Sequence, residues 1–483
     1  MSGASILRAL DDPALFAPHF RGDTWRTWRV FLKALFGLGG AMTADERAAY
    51  RQHTGREEPP TQPFREAALV VGRRGGKSRV LALIAVYLAT FRDYTEHLAA
   101  GEVATVAVIA ADRKQARAIY RYALGLLQAV DLLAPLLVRF KDDEIVLSNR
   151  VQIEIHTASF RVTRGYTFAA VLADETAFWR DEESRNPDVE IFRALRPGLS
   201  TIPGAMLLNA SSPYRKAGLL YQTFVRHWGR EDGRVLVWRG TTQDMNPALD
   251  PDVVREAYEE DPEGAAAEYG AEFRTDVSDF VPRDVVRACT IPGRVEMLPE
   301  RGRNYLAFVD PSGGSSDSMT LAIAHREGEQ AVLDALREVR PRFSPEAVVA
   351  DFAALLKSFR ISRVVGDRYG GEWPRERFRA WGIGYDISER TKGDIYREIL
   401  PLLNSAKVEL LDVPRLGSQL CGLERRTGRG GRDSIDHGPG AHDDVANAAA
   451  GALLLVRARA RLRITEEAIA KLSRPDFSRA GIW

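Results

Sequence analysis

The sequence contains little cysteine, and the two cysteines it has lie far apart. They are Cys289 and Cys421. A disulfide framework or a structural zinc site needs more cysteines at closer spacing, so we expect neither of them. Two isolated thiols are typical of a protein that works in a reducing compartment.

The sequence also lacks an apolar run long enough to cross a bilayer. Its two longest runs, residues 80–91 and 448–456, fall short of the roughly 20 residues that a membrane-spanning helix needs. Asp11 and Asp12 stand where a secretory signal would require an apolar stretch. We therefore expect neither a membrane protein nor a secreted one.

An excess of charge of one sign is missing as well. Lys and Arg number 67 and Asp and Glu 66, which leaves a net charge of +1. Any contact with nucleic acid must therefore come from local basic patches. With 483 residues, of which 45% are hydrophobic and 28% charged, the chain is expected to fold into two domains of roughly 150–250 residues each.

The first half of the chain alternates short apolar runs with helical stretches. This rhythm predicts an α/β fold in which a parallel sheet is joined by crossover helices. A hairpin is expected at residues 144–147 and 151–155, and a small helical lid at about 240–275. The other predicted strands are 67–71, 103–110, 168–173, 205–209 and 235–238, and the main helices are 78–91 and 113–130.

The second half of the chain has a different order of elements. Three consecutive strands are followed by alternating helices and strands, which is the order of a ribonuclease H-like sheet. Prolines 282, 292 and 299 mark the boundary, so we expect a first domain at 1–275, a linker at 276–300 and a second domain at 301–483. The predicted strands are 305–309, 319–324, 331–339, 363–366 and 384–387, with helices at 345–359, 374–381, 394–404 and from about 443.

A glycine-rich segment between the first strand and the first long helix has the pattern of a phosphate-binding loop. Backbone N–H groups of such a loop close around phosphates at the positive end of a helix. We expect Lys77 to reach the β- and γ-phosphates and Ser78 to bind Mg²⁺. Val71 replaces the usual first glycine. The segment reads Gly72-Arg73-Arg74-Gly75-Gly76-Lys77-Ser78.

Two carboxylates follow the buried strand 168–173. Charges at the end of an apolar strand are costly unless they have partners, so Asp174 and Glu175 indicate a site. Asp174 is expected to hold Mg²⁺ and Glu175 to orient the attacking water. We expect residues 103–110 to insert a strand between the strand of the phosphate-binding loop and the strand of these carboxylates.

Carboxylates also end three elements of the second half. Asp310 and Asp367 each follow an apolar strand, and Asp443 and Asp444 open an Ala-rich helix. Their convergence would bind two divalent cations roughly 4 Å apart, which is the arrangement that cleaves phosphodiesters. Oxygen ligands without Cys or His pairs favour Mg²⁺ or Mn²⁺. Asp444 is the favoured ligand, with Asp443 as a second ligand or a helix cap, and Asp317 is an outer candidate.

With these motifs in place, the sequence resembles the large terminase family over nearly its whole length. In that resemblance Arg73 takes the place of an arginine of the family's phosphate-binding loop, and Arg164, or alternatively Arg161, that of its arginine finger. Ser212, in Ser211-Ser212-Pro213, resembles the motif that senses the γ-phosphate. Trp25-Arg26-Thr27-Trp28 resembles the adenine-binding region and equally fits a plain amphipathic helix.

The resemblance implies a motor that uses ATP and Mg²⁺ to move double-stranded DNA into a procapsid, and a Mg²⁺- or Mn²⁺-dependent nuclease that cuts it. It further implies a portal, a small terminase subunit and a homo-oligomeric ring, pentameric in expectation, in the cytoplasm of a host bacterium. An ATP-dependent helicase or repair translocase with a fused nuclease is the alternative, and a non-enzymatic scaffold is a third interpretation. Candidate DNA contacts are Arg425, Arg426, Arg429 and Arg432 around a Gly-rich excursion, and Arg457, Arg459, Arg461 and Arg463 in the last helix.

Overall fold

The structure is a computed structural model that describes residues 3–158, 165–179, 187–315, 317–367, 372–427, 433–439 and 441–458. The chain divides into two compact units, Met1–Ser278 and Asp279–Trp483. Each unit contains a sheet of its own. In the described ranges no helix combines the length and the apolar character that crossing a bilayer requires.

The first unit is built on an eight-stranded sheet whose inner strands are parallel. These inner strands are almost wholly apolar because helices cover both faces of a parallel sheet. Only the edge formed by β3, β4 and β5 is antiparallel. The strands are β1 (Glu66–Val71), β2 (Ala104–Ala110), β3 (Leu137–Phe140), β4 (Glu144–Leu147), β5 (Val151–Thr157), β6 (Thr167–Asp174), β7 (Met206–Ser211) and β8 (Val235–Gly240).

The helices of this unit begin where the sequence supplies a cap or a turn. Asp112 caps α5 by accepting a hydrogen bond from the Gln115 amide, and α4 starts directly after the glycine-rich segment. Helix α4 is buried nearly all round, which explains its continuous apolar sequence. The helices are α1 (Ile6–Asp11), α2 (Arg26–Leu35), α3 (Ala44–Thr54), α4 (Lys77–Phe91), α5 (Arg113–Ala129), α6 (Pro187–Leu195), α7 (Gly218–His227), α8 (Thr242–Met245), α9 (Pro251–Glu260) and α10 (Pro262–Glu268).

The strand order is β3-β4-β5-β2-β6-β7-β1-β8, and it corrects one prediction. The strand between β1 and β6 is β7, which pairs with both of them in parallel. Strand β2 was expected there and instead lies on the far side of β6. The sequence did not reveal this because β2 and β7 are equally apolar, and only pairing in three dimensions decides their order.

The second unit contains a six-stranded sheet in the order β14-β13-β10-β11-β12-β15. Strands β10, β11 and β12 form an antiparallel meander, and β13 and β14 add to β10 in parallel. This is the ribonuclease H-like order that the sequence predicted. After β9 (Val277–Asp279) at the division, the strands are β10 (Tyr305–Asp310), β11 (Met319–Glu327), β12 (Gln330–Val339), β13 (Arg363–Gly366), β14 (Gly384–Ile387), β15 (Val408–Glu409), β16 (Leu423–Thr427) and β17 (Asp433–His437).

Much of the segment predicted as a linker, residues 276–300, is built into this second unit. Phe280, Val281 and Val286 are buried in its core, so the chain there is held by packing. The Leu410 amide also donates a 2.7 Å hydrogen bond to the Cys289 carbonyl. The helices are α11 (Arg283–Cys289), α12 (Pro345–Ser358), α13 (Trp373–Ala380), α14 (Lys392–Asn404), α15 (Pro414–Gly422) and α16 (Asp444–Ala458).

Candidate functional site

The glycine-rich loop of the first unit connects β1 to α4 in a tight path that side chains would block. A Cβ atom added to Gly72 would lie 2.3 Å from the Thr242 hydroxyl, so only glycine fits there. Gly76 has a φ of 95°, in the left-handed region that favours glycine. The Trp28 indole donates a 2.8 Å hydrogen bond to the Gly75 carbonyl and supports the loop from outside.

Lys77 lies inside the bend of this loop with its side chain only 5% exposed. Its ammonium donates to the Val71 carbonyl at 2.9 Å and is 3.4 Å from Glu175 Oε1. The first residue of α4 therefore reaches the end of β6. This position agrees with a lysine that contacts phosphates bound by the loop.

Asp174 is the carboxylate best suited to hold a cation in this unit. Ser78 donates a 3.3 Å hydrogen bond to its Oδ2, whereas its Oδ1 is buried and has no hydrogen-bond partner within the described residues. Burial, together with the neighbouring Glu175, raises the pKa of Asp174 to about 7. A Mg²⁺ ion held by Ser78 and Asp174 would satisfy this oxygen, so the donor set fits the expected metal.

Glu175 has a left-handed backbone, with φ at 49°, which turns its side chain toward β7. Its Oε2 accepts from the Ser211 hydroxyl at 3.0 Å, the Ser212 amide at 3.2 Å and the Ser212 hydroxyl at 3.3 Å. Strand β7 ends at Ser211, so the inserted strand delivers both serines to this glutamate. Ser212, predicted as a γ-phosphate sensor, contacts the predicted catalytic base directly.

A cavity of about 480 Å³ opens beside the loop, within the size range of small-molecule sites. Trp25 and Trp28 line it although both are buried, so the segment is at once the core face of a helix and a wall of the cavity. Sequence reasoning missed Arg79, whose guanidinium lies 4.8 Å above the Trp25 ring, and Tyr122. For Arg79 the available signal was its place directly after the loop serine.

The two arginines of the loop differ in their surroundings. Arg73 is exposed and pairs with Glu268 at 3.2 Å, whereas Arg74 lines the cavity. The structure thus directs Arg73 toward α10, away from the proposed chemistry. The rival finger residues Arg161 and Arg164 lie outside the described residues.

The helices after β8 are tied to the loop through its backbone. Thr242 donates a 2.8 Å hydrogen bond to the Arg73 carbonyl, and Asn246 donates a 2.9 Å bond to the Arg74 carbonyl. Leu249 lines the cavity with Asn246. The predicted lid therefore contacts the nucleotide loop at two successive residues.

The carboxylates of the second unit converge at one edge of its sheet. Val309 pairs with Gly366 in parallel, which places Asp310 and Asp367 side by side where the two strands end. Asn447 of α16 joins them, because its amide nitrogen donates to Asp310 at 2.8 Å and to Asp367 at 2.6 Å. Sequence reasoning missed Asn447. Its position one helical turn after Asp443 was the signal available.

The electrostatics of this cluster favour a bound cation. Burial, followed by neighbouring carboxylates, raises the pKa of Asp310 well above its usual value. Burial also raises the pKa values of Asp367 and Asp444. Like charges in a buried place disfavour one another's ionised forms, and divalent cations relieve that cost. The Oδ2 atom of Asp444 is buried without a hydrogen-bond partner among the described residues.

The two adjacent aspartates at the start of α16 have different partners. Asp443 accepts a 2.8 Å hydrogen bond from the Tyr396 hydroxyl and lies 3.1 Å from the Lys392 ammonium. Asp444 keeps the partnerless oxygen, which makes it the better ligand of the two. Asp317 lies 3.6 Å from His442, at the exposed margin of the cluster.

The predicted basic hairpin is formed by β16 and β17, which pair in antiparallel fashion. Arg425 lies 3.5 Å from Asp433, and Arg426 lies 3.6 Å from the buried Glu424. Acidic residues of the hairpin itself thus neutralise part of its charge. Arg457 donates a 2.7 Å hydrogen bond to the Glu329 carbonyl. The remaining predicted DNA contacts, Arg429, Arg432, Arg459, Arg461 and Arg463, lie outside the described residues.

These strand orders define an α/β protein in which a phosphate-binding-loop fold with an inserted strand precedes a ribonuclease H-like fold. No family model matches the chain, and no curated protein matches it. It is similar to the solved large terminase of bacteriophage HK97, with 17% identity, 93% of this chain and 99% of that chain covered, and a TM-score of 0.41.

Two further solved structures, both from thermophilic phages, are similar to the chain. One is a full-length large terminase with 13% identity, with 80% of this chain and 92% of that chain covered and a TM-score of 0.37. The other is the large terminase nuclease of phage G20c with bound magnesium, which has 16% identity, with 35% and 94% covered and a TM-score of 0.30. The strand orders described above, and not these low scores, define the fold.

Proposed function

We propose that the chain is a large terminase, which hydrolyses ATP to move double-stranded viral DNA into a procapsid and cuts concatemeric DNA with a metal-dependent nuclease. One observation carries the proposal: a single chain holds two separate carboxylate centres of different design. The first, Asp174 and Glu175, lies beside a phosphate-binding loop. The second, Asp310, Asp367 and Asp444, has the oxygen ligands of a two-metal nuclease.

In the first unit the residues divide the work of ATP hydrolysis. The loop amides and Lys77 bind the phosphates, and Ser78 and Asp174 hold Mg²⁺, which neutralises phosphate charge when bound. Glu175 takes the proton of the attacking water and is oriented by Ser211 and Ser212. Because β7 carries these serines, a change at the γ-phosphate is passed to the strand and to α7 behind it.

In the second unit, Asp310, Asp367 and Asp444 hold the metal ions, and Mg²⁺ or Mn²⁺ supplies the activated water and stabilises the leaving oxygen. Asn447 keeps the first two carboxylates at a fixed separation. The site as described consists of metal ligands and the residues that hold them, and these act on phosphates. The nuclease is therefore proposed to cut without strong preference for sequence, guided by contacts to the DNA backbone.

The partners follow from the motor function. An arginine finger at Arg164 would act on the nucleotide of a neighbouring copy, which requires a homo-oligomeric ring. The ring, proposed as a pentamer, would dock on the portal of the procapsid in the host bacterial cytoplasm. A small terminase subunit would deliver the DNA, and the isolated chain would be a monomer or a weakly associated oligomer.

The nuclease is tested by digesting plasmid DNA with Mg²⁺ or Mn²⁺. Asp310→Asn should abolish cleavage, because the buried carboxylate is the central ligand of the set. Asp351→Asn, on the exposed face of α12, is the matched control and should cut like the wild type. Equal cleavage by all three proteins would contradict the nuclease assignment.

ATP hydrolysis is tested separately with Lys77→Ala, and Lys114→Ala on the exposed face of α5 serves as control. Only the Lys77 variant should lose activity. Packaging of linear duplex DNA into procapsids then separates the terminase from the alternative, a helicase with a fused nuclease. Unwinding of a forked duplex by the purified chain, without any packaging, would favour the helicase.

A further inference from the structure

Lys392 lies beside the second carboxylate centre without belonging to the set of metal ligands described above. It is the first residue of α14, and its ammonium is 2.8 Å from Asp436 Oδ1 and 3.1 Å from Asp443 Oδ2. Asp436 belongs to β17, and Asp443 directly precedes α16. One lysine therefore joins the root of the hairpin, the helix that carries Asp444, and α14.

Tyr396 strengthens this arrangement from the next turn of α14. Its hydroxyl donates a 2.8 Å hydrogen bond to Asp443 Oδ2, while Lys392 also donates to Oδ1 at 3.3 Å. Tyr396 is fully buried and Asp443 is 4% exposed, so water does not compete for these contacts. Charge-assisted hydrogen bonds of this kind hold a carboxylate in its ionised form and in one orientation.

The surroundings of the ammonium have the composition of a metal site. Ligand atoms of Asp436, His437 and Asp443 all lie within 4.8 Å of one another, close enough to hold one ion. Lys392 places a single positive charge against two of these three residues. Asp444, the next residue along, has no such partner within the described part of the chain and keeps its buried Oδ2 atom unsatisfied.

We propose that Lys392 is a positioning residue whose ammonium takes the place of a third cation, which withholds Asp443 from metal binding and leaves Asp444 as the ligand on α16. This inference rests on the proposed two-metal nuclease and specifies which of two adjacent aspartates serves it. A fixed ammonium neutralises Asp443 without drawing a metal ion away from Asp310 and Asp367. Partners that orient a metal-binding element in this way typically affect metal affinity or activity by about 10–100-fold.

The test is the number of Mn²⁺ ions bound per chain, measured by titration with detection of free Mn²⁺ by electron paramagnetic resonance. Lys392→Met should bind one ion more than the wild type, because Asp436, His437 and Asp443 become available together. Its plasmid cleavage should fall by about 10–100-fold. Lys407→Met, a half-exposed lysine of the same unit, should match the wild type in both measurements.

Three further variants separate a positioning role from a merely structural one. Lys392→Arg keeps the charge and should restore the wild-type stoichiometry, and Lys392→Met combined with His437→Ala should lose the additional ion. If Lys392→Met does not fold, Lys392→Gln keeps a donor toward Asp443 and carries the same expectation. An unchanged Mn²⁺ count in the folded neutral variants would overturn the inference.

The outcome also separates this inference from the proposed function. If the wild type cleaves DNA and Lys392→Met binds no additional ion, the inference fails and the nuclease stands. If the wild type neither cleaves nor binds Mn²⁺, whereas Lys392→Met binds one ion, the proposed nuclease fails and the role of Lys392 is supported.

Discussion

Glu175 accepts a 3.0 Å hydrogen bond from the hydroxyl of Ser211, the last residue of the strand inserted between β1 and β6. The bond joins the proposed catalytic base to the neighbouring strand, so the base and that strand cannot move independently. Two contacts from Ser212 complete the arrangement. The orientation of the glutamate is therefore a property of the sheet order as much as of the residue.

Ser211→Ala should lower the kcat of ATP hydrolysis by about tenfold with little change in KM. A hydrogen bond to a charged group contributes roughly 1.5–3 kcal/mol, and Ser212 retains part of the orientation. Steady-state kinetics with Ser200→Ala, an exposed serine of the same unit, as control would check this. An increase in KM at constant kcat would instead indicate a role in nucleotide binding.

Asn447→Ala should destabilise the second unit in the absence of metal. The amide donates to both Asp310 and Asp367, and its loss leaves two buried carboxylates facing each other. The cost of roughly 1–3 kcal/mol corresponds to a fall in Tm of about 2–10 °C. Calorimetry in EDTA measures it, with the exposed Asn404→Ala as control. Added Mn²⁺ should recover part of the loss, and an unchanged Tm in EDTA would contradict the bridging role.

Asp310→Asn should raise the metal-free Tm at pH 8 while it removes the stabilisation that metal provides. The buried Asp310 is ionised at a cost, which its raised pKa reflects, and the neutral amide avoids that cost. The wild type should gain several degrees when Mn²⁺ is added, and the variant much less. Thermal unfolding with EDTA or Mn²⁺ distinguishes the two proteins. A variant less stable than the wild type in EDTA would show that the carboxylate is not strained.

The first unit should lose stability when the pH falls below about 6.5. His53 is buried, stacked on Trp238 at 4.9 Å, and hydrogen-bonded to the Arg239 carbonyl. Burial lowers its pKa, so its contribution to stability is present above the unfolded-state pKa and is lost as the pH falls through the folded-state pKa.

Unfolding of the first unit, followed in denaturant between pH 7.5 and pH 5.5, measures this dependence. His53→Gln should weaken it, whereas the exposed His97→Gln should leave it unchanged. An identical slope of stability with pH in wild type and His53→Gln would rule out the buried histidine as its source.

The main elements of both sheets were predictable because buried parallel strands are continuous apolar runs, and the residues that end them are polar for a reason. Asp174, Asp310 and Asp367 were found in this way. Asn447 and Lys392 were not, because each is an ordinary polar residue on a helix. Only the packing of that helix against the sheet reveals what the side chain contacts.

The sequence by itself determined local conformation and the chemistry available: which segments are strands, where the phosphate-binding loop lies, and which carboxylates end an apolar run. These follow from periodicity and from the cost of burying a charge, both of which act over a few residues. The tertiary structure decided that β7 and not β2 lies beside the strand of Glu175, that Arg73 pairs with Glu268, and that Asp443 is held by Lys392. Those are outcomes of competition between distant segments for the same partners, and short stretches of sequence do not encode who wins it.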